Sequence, residues 1–208
     1  MSEKLSEVRR ILDRYLVEVV EAYDLCPWAR AARTGGEVAV EVLWSEPAEE
    51  AWVAAGEALL ARRQTRVAMI VAPETARSPA ELRVMRDRVA ARLPQAGIAH
   101  FHPDAALDLA SPARLVPFLR RSPDALLQLV PLALLASVRG APPAVDRALQ
   151  AQMLGGQAAA PRGDVADRIA ATNHARVTAE TAAILARLDE IARDRRQSYA
   201  RVGISCSR

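Results

Sequence analysis

The chain has 208 residues, 51% of them apolar, and a formal charge of only +3; this excludes global disorder, and folding at this length buries roughly 70% of the chain's surface without help from disulfides or metal. Lys4 is the sole lysine, and arginine is nearly balanced by Asp and Glu, with no basic face or interleaved aromatics, so no nucleic-acid partner is expected. Cys26 and Cys206 make no disulfide framework, no apolar leader opens the chain, and no apolar run reaches the ~18 residues that cross a bilayer, which predicts a cytoplasmic protein with no membrane partner.

Leu5, Val8, Leu12, Tyr15, Val19 and Ala22 recur at helical spacing and predict an amphipathic helix over 3–24. Cys26-Pro27-Trp28 opens a short second helix, with Pro27 at its first position and Gly35 at its stop. Residues 37–43 alternate polar and apolar and predict a strand. A helix over 47–63 follows, with Glu46, Glu49 and Glu50 at its positive end. The run from Arg66 to Ala72 fits a buried strand. Ser78, Pro79 and Glu81 form a capping box ahead of the stripe Leu82, Met85, Val89 and Leu93. A third strand starts at Gly97 and ends at Pro103, and Leu126 to Val130 offers a fourth. This alternation predicts a three-layer α/β fold, with a small, mostly parallel three- to four-stranded sheet flanked by helices. After an α/β core over 1–140, residues 141–208 read as a helical extension. A helix over 143–154, stopped by Gly155-Gly156, and a long helix from Asp164 to about Tyr199 make a C-terminal hairpin.

Three segments carry chemistry. Cys26, at a helix start with Arg30 one turn on, faces unpaired backbone N–H groups that favour the thiolate, against Asp24 and the preceding helix end, which disfavour it. The net expectation is a thiol pKa below the ordinary ~8.5. The alternative is a cysteine packed beside Trp28. His100 and His102 are two apart on a strand and share a face, with Asp104 continuing the row. His102 falls at a carboxyl strand end, where open α/β sheets place ligands. The pair also suits a metal, although a histidine hydrogen-bonded at the sheet edge explains the spacing without one. Arg121-Ser122-Pro123 places an arginine for bidentate capture of a carboxylate or phosphate, while Arg120 reads as a solvated charge. Asn173 sits in the apolar register of the last helix and needs a partner; His174 beside it reads as exposed.

Leu25 to Arg30, Phe101 to Asp104 and Arg121 to Val130, in this order, resemble a bacterial family known as domain of unknown function number 1415. The resemblance spans residues 5–140. This chain has Gln128 where the family pattern has a histidine, His100 is atypical of it, and an asparagine like Asn173 fits it. The resemblance implies a shared pocket and supplies no reaction or cofactor. The expectation is a small-molecule, anionic ligand at the strand ends. Cys26 would be the nucleophile, His102 its base, and Asp104 would orient the imidazole. Trp28, Arg30, Arg121, Ser122 and Asn173 would contact the ligand. The alternatives are a binding or assembly protein acting through its long last helix, and a metal site at His100 and His102. In the assembly reading, the half of that helix beyond Val177, carrying Ile184, Leu188 and Ile191, projects to form a homodimer.

Overall fold

The computed structural model describes residues 2–135 and 165–205. The expected helix over 143–154, its Gly155-Gly156 stop and Cys206 lie outside them. The elements are α1 (Ser2–Tyr15), α2 (Ala29–Thr34), β1 (Val38–Val42), α3 (Glu49–Leu60), β2 (Val67–Ala72), α4 (Pro79–Arg92), β3 (Ala96–Phe101), α5 (Pro112–Leu115), β4 (Ala125–Pro131) and α6 (Val165–Val202). The α4 capping box forms as expected: Ser78 Oγ accepts from the Glu81 amide, and Glu81 accepts from the Ser78 amide at 2.8 Å.

The first helix departs from its predicted regularity. Beyond Tyr15 it widens into a π-helical turn over Leu16–Glu21, where the amides of Ala22 and Leu25 bond five residues back to Val17 and Val20. Leu16, Val19, Val20 and Glu21 are all buried in this turn. Glu21 survives burial because the Arg33 guanidinium grips both its oxygens, at 2.6 and 3.1 Å, holding its pKa below the usual carboxylate range. The chain then reverses at Asp24, in the left-handed region at φ 46°.

The sheet order is β1-β2-β4-β3. β1 and β2 pair in parallel, Val40 opposite Met69; β4 pairs antiparallel with both β2 and β3, Leu127 standing opposite Ile70 and His100. Three strands thus run the same way, as the alternation implied, yet only one pairing is parallel, because β4 fills the gap that the β2–α4–β3 crossover leaves. The fold is α/β with a mixed sheet. Burial explains the insertion: Leu126 joins one core layer and Leu127 and Leu129 the other, so β4 is apolar on both faces and belongs inside the sheet.

Two core layers flank the sheet. One is built from α3, α4 and one face of the strands around Trp52, Leu59, Ile70, Leu82 and Val89. Here α3 packs so closely that a Cβ at Gly56 would lie 2.6 Å from Leu93 Cδ1 and 3.1 Å from Leu129 Cδ2. Gly56→Val is therefore expected to destabilise the protein by about 1–3 kcal/mol through overpacking; a urea midpoint at or above that of the parent chain would contradict this. The other layer joins α1 and α6 to the opposite face. Val177, Ile184, Ile191 and Tyr199 of α6 are fully buried there, with Leu188 packed against them. The half of α6 expected to project therefore packs on its own chain. Arg10 and Arg14 of α1 clamp Asp194 of α6, whose carboxyl they hold at a pKa of about 2.

Candidate functional site

β3 ends where Pro103 removes a ladder donor. The preceding amide, that of His102, turns to the Arg120 carbonyl at 3.0 Å. Its ring is buried between two backbone partners. Nδ1 accepts from the Asp104 amide at 3.0 Å, which assigns the proton to Nε2, 2.8 Å from the Arg77 carbonyl. His102 thereby ties the end of β3 to the loop that starts α4. The Asp104 carboxylate is exposed and 3.8 Å from the imidazole, so this residue orients the ring through its backbone and not its side chain.

The strand ends, the loop Thr75–Pro79 and one flank of α6 enclose a cleft of about 620 Å³. His102, Asp104, Arg121 and Ser122 all line it, as expected of a site at the carboxyl edge. Ser122 is buried and its hydroxyl donates to the Asp124 carbonyl, which shapes the wall instead of presenting a donor to the cleft. Arg121 is half-buried, and among the described residues its guanidinium has no hydrogen-bond or ion-pair partner.

Three arginines beside it are arranged differently. Arg77 pairs with Glu46, whose carboxylate also accepts from Thr75 Oγ1 and the Ala76 amide, each at 2.9 Å. Arg195 donates through Nε to Asp124 at 2.7 Å and through Nη2 to the Pro73 carbonyl at 3.0 Å, and lies 4.8 Å from the centroid of the Tyr199 ring. The Tyr199 hydroxyl donates to the second Asp124 oxygen at 2.6 Å. Arg196 is exposed at the rim, as is Asp189. Two of the four guanidiniums are thus matched to buried or bridging carboxylates.

Cys26, Trp28, Arg30 and Asn173 do not line this cleft. Cys26 packs against the α1–α6 core layer, and its sulfur does meet the backbone N–H groups of Trp28 and Ala29, as its place before a helix suggested. Burial outweighs those amides and, with the charge of Asp24, pushes the thiol pKa up, not down. Arg30, expected to assist the thiolate, is exposed and points to Glu21 at 3.5 Å. Trp28 is 39% exposed on the surface. Asn173 finds the partner its register demanded: Nδ2 donates to the Leu25 carbonyl at 3.0 Å, pinning α6 to the corner before Cys26. His174, expected to be exposed, is half-buried with Nε2 2.8 Å from the Leu109 carbonyl.

No family model, curated protein or solved structure matches the chain. The family resemblance rests on the quoted motifs alone, and the site must be read from its own chemistry. His100 and His102 share the α4 face of the sheet, as their spacing implied, but the described residues contain no group of three or more His, Cys, Asp or Glu placed to hold a metal ion. No described helix is long and apolar enough to cross a membrane.

Sequence reasoning missed Asp124, Arg195 and Tyr199. Asp124 directly follows the Arg-Ser-Pro step. Arg195 lies in the register that flagged Asn173, between Ile191 and Ser198 at heptad spacing; a charged residue in a buried stripe implies a buried counter-charge.

Proposed function

We propose that the protein binds a small anionic molecule in the cleft at the strand ends, with Arg121 as its anchor. One observation carries this reading: Arg121 is a half-buried guanidinium that lines the cleft with no ion-pair or hydrogen-bond partner among the described residues, beside two arginines that have theirs. A planar guanidinium in partly desolvated surroundings favours bidentate capture of a carboxylate or phosphate. Arg77 and Arg195, fixed by Glu46 and Asp124, hold the walls. Binding, and not thiol catalysis, is the reading we favour, because both nitrogens of His102 are engaged and Cys26 is not a lining residue. The half-buried, free thiol of Cys26 suits a reducing compartment, and we place the protein in the cytosol.

Titration calorimetry with succinate and with inorganic phosphate tests this. At least one is expected to bind saturably, and Arg121→Gln to weaken it about 10- to 100-fold, the range for losing a charged hydrogen bond. Binding that ignores the substitution, or no saturable binding of either ion, would overturn the proposal.

A further inference from the structure

Arg120 and Arg121 are consecutive, and the extended backbone at Arg121 sends their side chains to opposite sides of His102. Arg121 enters the cleft already described. Arg120 enters a second one, of about 360 Å³, between the end of β3 and the start of α4. Its walls are apolar, from Pro79, Ala105, Val116 and Pro117, and its polar groups are Arg120 and His100 along one side, with the exposed Asp104 and the engaged ring of His102 at the boundary with the first cleft.

In this second cleft the Arg120 guanidinium has no ion-pair partner, the one carboxylate on the lining being the exposed Asp104. Arg120 is half-buried and has no side-chain partner among the described residues; burial, and next the like charge of Arg86, disfavour its charged form. Arg86, on α4, pairs with Asp87 at 3.1 Å through Nη2, while its buried Nε has no partner. His100 Nδ1 is likewise buried and unpaired. Burial, followed by Arg120, Arg86 and Arg83, drives the His100 pKa down to about 4, with Asp87 alone opposing, so its imidazole is neutral near pH 7 and able to donate one N–H. Unpaired buried polar atoms and neighbouring guanidiniums are costly unless an anion satisfies them.

We propose that this second cleft is an anion site for a phosphate monoester with a small apolar body. Arg120 anchors the phosphate, Arg86 on α4 lies outside the lining but adds a nearby positive charge that favours a dianion, the neutral His100 ring lines the cleft beside it, and the proline and alanine walls take the apolar part. The site is independent of the ligand of the first cleft.

The test uses the full chain carrying Arg121→Gln, so that binding in the first cleft is weakened, and phenyl phosphate, inorganic phosphate and benzoate as probes in calorimetry. Phenyl phosphate is expected to bind at least about tenfold more tightly than inorganic phosphate, through the apolar walls, and more tightly than benzoate, through the second charge. Arg120→Gln should weaken phenyl phosphate at least about tenfold. Arg86→Gln, which tests the neighbouring charge separately should Arg120→Gln fail to fold, should weaken it several-fold. Phenyl phosphate should also shift the ring resonances of His100 in proportion to occupancy. Benzoate binding as tightly as phenyl phosphate, indifference to both substitutions, or an unmoved His100 would each overturn the proposal.

Discussion

Asp124→Asn is expected to lower the unfolding free energy by about 3–5 kcal/mol, the range for removing one partner of a buried ion pair. The substitution keeps the shape of the side chain but removes the charge that Arg195 and Tyr199 converge on. Asp124 is 2% exposed and Tyr199 is fully buried, so water does not readily replace the lost carboxylate charge beside the Arg195 guanidinium. Tyr199→Phe removes a hydrogen bond to a charged group while leaving the ion pair, and should cost less, about 1.5–3 kcal/mol. The ordering is the sharper statement. Urea unfolding with an unchanged slope would report both values, and for Asp124→Asn the loss corresponds to roughly 10 °C in melting temperature at this chain length. A loss under 1 kcal/mol for Asp124→Asn would mean that the pair contributes little. Because Arg195 also bonds the Pro73 carbonyl, the same substitution should loosen α6 over the first cleft.

What the sequence made legible was local chemistry. The capping box before α4, the alternation in β1 and the unbroken apolar run in β2 each follow from contacts within a few residues, and each forms as expected. The place of β4 was not legible in that way: strand order depends on which gap a crossover leaves, and only the two-faced burial of Leu126 and Leu127 hinted at an interior position. The same division runs through the site. The strand-end position of His102 and the cleft-facing position of Arg121 follow from the pattern, whereas the commitment of both imidazole nitrogens to the Asp104 amide and the Arg77 carbonyl depends on loops folding back. Arg120 read as a solvated charge because one surface arginine looks like another in sequence. Its burial beside His100 comes from the way Pro117 and the turn over Phe118–Arg120 fold against β3.

Cys26 in the folded protein is expected to react with iodoacetamide more than about tenfold slower than in the urea-unfolded chain at the same pH, because only the thiolate attacks and burial disfavours it. The amides of Trp28 and Ala29 pull toward thiolate, but desolvation leads and Asp24 adds to it, so the net direction is upward. The rate should therefore rise with pH to a midpoint above the ordinary thiol value of ~8.5. Peptide mass spectrometry resolves Cys26 from Cys206. The same shift fixes the sign of a stability effect. Above the ordinary thiol pKa the unfolded chain has released its proton while the folded chain retains it, so unfolding free energy falls as pH rises through that window. Tyr15, pushed up by its own burial first and by the charge of Cys26 second, extends the loss to higher pH. A midpoint below the ordinary thiol value, or a folded-state rate matching the unfolded one, would place Cys26 in an activating environment and return it to the list of nucleophiles; the expected pair of results instead makes it a packing residue at the corner that Asn173 pins.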